Sequence, residues 1–144
     1  MAEKLRVVQF ESPFGAPDAE GIVRNVAYAL IGMRDSLTRG EAPFASHLLY
    51  TQMLDDAVAS ERSMGIDAGL AIGGKAAEAT VVYEDLGISR GMQYGIDHAK
   101  ELGRPVESRR LYASLLETSE LYDRILQESP LNPELIRAIY ARNM

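Results

Sequence analysis

The chain of 144 residues contains no cysteine. That absence excludes a disulfide framework, a zinc–thiolate centre and a thiol nucleophile. Histidine is nearly absent too. His47 and His98 stand far apart and form no H-x-x-x-H pair, so neither a zinc site nor any other cofactor site is expected. Positive charge is in deficit, with 15 Lys and Arg against 21 Asp and Glu and a net charge of −6. A surface of that sign does not coat a nucleic-acid polymer, although a few arginines can still hold a small anion. No apolar run reaches the roughly 18 residues of a membrane span, and no signal-peptide pattern is present. The expectation is a cytoplasmic chain with no membrane partner.

Apolar residues make up 47% of the chain and charged residues 25%, so it is globular rather than disordered. The length suits one domain with a real core. The run "KLRVVQF" reads as a first strand, and "ESPFGAPDAE" as a loop. Asp18 is placed to cap the helix "AEGIVRNVAYALIGMRDSLTRG", which Gly40 ends. "APFASHLLY" reads as a second strand. "TQMLDDAVASERSMGIDAGLAIGGKA" reads as helical in its first half, with Met53, Leu54 and Val58 on one side, and is interrupted by glycines in its second half. "EATVVYED" is a third strand, "ISRGMQYGIDHAKELG" a helix and "RPVESRRL" a fourth strand. Strands alternating with helices predict an α/β domain over residues 1–110, a mostly parallel sheet flanked by helices.

Residues 111–144 form a helical tail. Leu111, Leu115, Tyr122, Ile125 and Leu126 repeat at helical spacing. A second helix restarts with Asn132 as its cap and Pro133 in its first turn. The apolar side of this tail covers either the domain's own sheet or a partner subunit, and a homo-oligomer is expected on that ground.

"GLAIGGKA", Gly69 to Ala76, matches seven positions of a phosphate-binding P-loop. It fails at the eighth, where Ala76 has no hydroxyl, and it precedes a strand instead of following one. It reads as a connection to the third strand. The residues just beyond each strand are more informative, because parallel sheets bind ligands at their carboxyl ends. Ser12, Pro13 and Phe14 follow the first strand. Ser46, His47, Tyr50 and Gln52 follow the second, and Glu84, Asp85, Ser89, Gly91 and Met92 the third. Hydroxyls, an imidazole, an amide, an aromatic ring and carboxylates there suit a nucleoside-sized ligand. Arg62, Arg24 and Asn25 flank this rim as candidate phosphate or polar contacts, and Asp55 with Asp56 as a further acidic pair.

Small residues at Gly91, Gly95 and Ala99 line one side of the helix after the third strand. Each glycine costs about 1 kcal/mol against alanine in a helix. The stripe therefore implies close approach, either by another backbone or by a ligand.

The segments "ESPF", "RNVAYA", "PFASHLLYTQMLDD", "ERSMGIDAG" and "ATVVYEDLGISRGMQYGIDHAKELGRPV" resemble small phage and bacterial domains of the nucleoside 2-deoxyribosyltransferase-like superfamily, which includes nucleotide N-glycosidases. The resemblance covers about residues 5 to 107. It implies a Rossmann-like sheet with a nucleoside or nucleotide over the strand ends, usually in an oligomer. In the deoxyribosyltransferases a glutamate on this helix attacks the anomeric carbon. The matching position here is Gly95, or Gln93 in a shifted register, and Ser89 matches an earlier acidic position. The family's nucleophile is therefore missing. Asp85 is the best remaining carboxylate for catalysis, ahead of Glu84 and Asp97. Three functions stay open: cleavage or transfer of an N-glycosidic bond, a nucleotide sensor or sponge without chemistry, and a structural oligomer with a vestigial pocket.

Overall fold

The computed structural model describes residues 4–112 and 116–144, so Leu115 of the tail pattern lies outside the described residues. Its centre is a sheet of four parallel strands: β1 (Arg6–Glu11), β2 (Glu41–Phe44), β3 (Ala79–Tyr83) and β4 (Val106–Arg109), in the spatial order β2-β1-β3-β4. The protein is an α/β domain. Every residue of β3 is buried, as befits a central strand covered on both faces. In β1 the faces differ. Val8 and Phe10 enter the main core, whereas Gln9 and Glu11 alternate to the other side.

Six α-helices accompany the sheet among the described residues: α1 (Ala19–Thr38), α2 (Ser46–Leu49), α3 (Ala59–Ala76), α4 (Arg90–Glu101), α5 (Thr118–Glu128) and α6 (Pro133–Ile139). Among the described residues no helix is long and apolar enough to cross a membrane. Local chemistry sets several helix ends. Asp18 accepts a hydrogen bond from the Gly21 N–H at 2.8 Å, and Asn132 accepts one from the Leu135 N–H at 2.8 Å. Gly40, at φ +79°, supplies the left-handed turn after α1.

Helix α1 packs with β2, α5 and α6, while α3 and α4 pack against β1, β3 and β4. The tail helices bury Ile125, Ile136 and Tyr140 in the same core as Val8 and Phe10. Part of their apolar side is thus covered by the chain itself, while Leu135 stays exposed.

Two segments differ from the sequence reading. The second strand stops at Phe44, and Ser46–Leu49 turn into a helix. A short apolar run does not distinguish strand from helix by its periodicity. Here the helical phase buries Leu48, whose carbonyl accepts the Tyr140 hydroxyl at 2.8 Å, and leaves His47 facing Ser12. The second difference is in α3. Residues Tyr50–Gln52 form a 3-10 turn, Met53 and Val58 are exposed, and the helix begins only at Ala59. It then runs straight through the glycines, so "GLAIGGKA" is its last two turns and not a connector. Gly69 and Gly73 are the residues it buries. A Cβ on Gly69 would lie 2.6 Å from the Ser46 side chain, and one on Gly73 would strike the Gln9 amide. Close packing against β1 and α2 outweighs the propensity cost of these two positions.

Candidate functional site

The chain leaves β1 toward β2 and leaves β3 toward β4. Such a reversal opens a crevice at the carboxyl ends of the two central strands. A cleft of about 820 Å³ lies there, between the end of β1, α2, α3 and the start of α4. That is ample for a nucleoside.

Most of the residues expected at the site line this cleft. Ser12 and Phe14 come from the loop after β1. Ser46, His47 and Tyr50 come from α2 and the turn after it, and Arg62 from α3. Ser89, Gly91 and Met92 open α4. Ser89 caps that helix by accepting the Met92 N–H at 3.2 Å, while the Met92 sulfur accepts the Ser89 N–H at 3.3 Å. Methionine thus stands in for the glutamate or glutamine of a capping box. The Ser12 hydroxyl and His47 Nε2 are 2.8 Å apart. Desolvation pulls the imidazole down to about 4, so His47 is neutral at ordinary pH.

The other expected residues lie elsewhere. Pro13 is buried beside the cleft without lining it. Asn25 donates to the Phe14 carbonyl at 2.8 Å and fixes the loop from behind. Gln52 donates to the Leu48 carbonyl at 2.9 Å and borders a separate shallow groove. Asp55 accepts the Ala57 N–H at 2.9 Å in its own turn. Arg24 lies over the Tyr122 ring at 3.7 Å, so it is not a phosphate contact. Glu84 faces Arg110 at 3.6 Å, and Asp97 accepts the Gln93 amide at 2.9 Å on an exposed face.

Asp85 requires a correction of role. Its carboxylate accepts the Tyr28 hydroxyl at 2.6 Å, the Leu111 N–H at 2.8 Å and the Tyr112 N–H at 2.9 Å. It pins the start of the tail and does not line the cleft. A carboxylate holding three donors on that side is a structural anchor.

The carboxyl group that the sheet sends into the cleft is Glu11, the last residue of β1. A Cβ at Gly95 would lie 2.6 Å from Glu11 Oε2 and 2.7 Å from its Cδ. The glycine therefore makes room for a side chain from the sheet, not for another backbone. Burial shifts the Glu11 carboxyl up to about 8, with no hydrogen bond or charge among the described residues to offset it. Part of its surface remains open, and that part faces the cleft. One signal in the sequence marks this residue. In "VVQFE" polar side chains alternate with apolar ones on a strand that a parallel sheet buries on both faces. Asp56, of the acidic pair read from the sequence, lines the cleft as well, and Gln9, Tyr94, Glu61 and Asp67 are further lining residues that the sequence did not single out. Among the described residues no cluster of three histidine or acidic side chains is arranged to hold a metal ion.

No curated protein and no solved structure matches the chain. One family model does, over residues 6–109, which are the first residue of β1 and the last of β4. The match takes in all the cleft-lining residues and leaves out the tail helices. The chain belongs to this family, a domain of unknown function designated DUF7768.

Proposed function

We propose that the chain binds a nucleoside or nucleotide in this cleft and cleaves or transfers its N-glycosidic bond, with the Glu11 carboxylate beside the anomeric carbon. The observation that carries the reading is the seat of Glu11 against Gly95. In the deoxyribosyltransferases that the sequence resembles, a glutamate stands at the position matching Gly95, or Gln93 in a shifted register. Here that side chain is missing, and a carboxyl group from β1 enters the space it would have crossed. In the reaction the bond from the sugar carbon to the base nitrogen breaks, and its electron pair leaves with the base. Positive charge develops on the sugar, and a desolvated carboxylate opposite it stabilises that charge far more than one in water. A water oxygen or an acceptor-base nitrogen then bonds to the carbon and releases a proton, which balances the proton that the departing base takes up. Phe14 and Tyr50 offer rings for the base, and Ser12, Ser46 and Ser89 offer hydroxyls for the sugar.

The test is base release from a panel of nucleosides and nucleotides by the full chain, read by chromatography, alongside Glu11→Gln. Release by the wild type and a fall of about a hundredfold or more in the variant, with binding retained, is the expected result. Thermal stabilisation by a ligand without any turnover would leave a sensor or sponge instead. One observation favours that second reading: a carboxyl with a pKa of about 8 is mostly protonated at neutral pH.

A further inference from the structure

We propose that the cleft selects a nucleoside whose base carries a positive charge, a pyridinium or N-alkylated ring held between tyrosines and carboxyl groups. This rests on the nucleoside reading above and narrows its substrate class.

Three independent features of the cleft lead to it. The first is charge. Glu11 apart, Asp56, Glu61 and Asp67 line the cleft against Arg62 and Arg90 among the described residues. Arg62 itself leans toward Asp56 at 3.7 Å, which leaves less of its charge for a ligand. A phosphate would enter against this balance, whereas a cation would enter with it. The second is aromatic surface. Tyr94 is 57% exposed where it lines the cleft, and Tyr50 lines the same space. Carboxylates with open tyrosine faces are the groups that recognise organic cations. The third is Glu11. It sits in the crevice against Gly95 with no hydrogen bond or opposite charge among the described residues to compensate it. A cationic ring alongside would supply that missing charge and bring out the ionised carboxylate.

The chemistry of departure points the same way. A neutral base leaves as an anion unless it is protonated. Glu11 serves the reaction as the ionised carboxylate opposite the sugar, which leaves it no proton to give, and His47 is already neutral and far too acidic in its protonated form to be populated as a donor. A cationic base needs no donor. When the bond from the sugar carbon to the ring nitrogen breaks, its electron pair returns to that nitrogen and cancels the charge. The base leaves neutral, water oxygen bonds to the sugar carbon, and the proton of the water passes to solvent.

The experiment is calorimetry on the full chain at low ionic strength near neutral pH, with the pyridinium nucleoside nicotinamide riboside and its uncharged dihydropyridine form. Two buffers of different ionisation heat report proton release. The pyridinium should bind about tenfold tighter, with protons released on binding. Glu11→Gln should abolish the release. Tyr94→Ala, at an exposed position where folding is not at stake, should remove most of the preference. Equal or tighter binding of the dihydropyridine overturns the proposal. So does tight binding of ordinary nucleosides or their monophosphates without binding of the pyridinium, and in that case the nucleoside reading survives. Failure of every nucleoside and nucleotide to bind overturns that reading, and this proposal with it.

Discussion

Glu11 and Gly95 occupy one space from two directions: a Cβ on the glycine would lie 2.6 Å from an oxygen of the carboxyl group. The helix keeps a residue without a side chain so that the strand can present one with a charge. The displaced atoms in a Gly95→Ala variant are the flexible end of Glu11 and not backbone. The carboxyl therefore yields, and α4 gains up to about 1 kcal/mol of helix propensity. The expected outcome is an unchanged or higher melting temperature with base release reduced about tenfold or more. A loss of roughly 2 kcal/mol or more in stability would show instead that Glu11 is held rigidly. Gly95→Glu is a harsher change, since it crowds two carboxyl groups into one space and raises the pKa of at least one.

The pH dependence of stability carries two opposite contributions from the cleft. Folding moves Glu11 from an ordinary 4.5 up to about 8 and His47 from 6.5 down to about 4. Between 4.5 and 8 the folded chain holds the Glu11 proton more tightly than the unfolded chain does, so stability falls as pH rises. Between 4 and 6.5 the unfolded chain binds the His47 proton more tightly, so stability falls as pH drops. The two oppose each other below 6.5, and from there to 8 the Glu11 contribution stands without the His47 one. Urea midpoints measured over that upper interval should decline in the wild type and flatten in Glu11→Gln. Parallel curves for the two proteins would remove Glu11 as the source of the slope.

Asp85 should behave as an anchor. Asp85→Ala strips the acceptor from the Leu111 and Tyr112 N–H groups and from the Tyr28 hydroxyl. A loss of about 2–4 kcal/mol is expected, with earlier proteolysis of the tail. Ligand affinity in the cleft should be unaffected at temperatures where the variant is folded. Weakened binding with unchanged denaturant midpoints would return Asp85 to the site.

The sequence by itself determined the order of strands and helices and several of their ends. Asp18, Gly40, Ser89 and Asn132 act within three or four residues of themselves, through caps and turns that need no distant partner. It also brought Ser12, His47, Ser89 and Met92 to one cleft, because the ends of parallel strands converge whatever the packing details. The choice between two acidic strand ends was made only in three dimensions. Asp85 and Glu11 each stand at the end of a central strand. One is captured by backbone donors 26 and 27 residues further along the chain, and the other is left facing the cleft. The glycines of α3 and α4 were hidden in the same way. Read locally those of α3 are helix breakers and those of α4 imply only a close approach, and what approaches appears only when Ser46, Gln9 and Glu11 arrive against them. Capping is decided by the next turn of chain. The direction, burial and charge of a carboxyl group are decided by everything that packs around it.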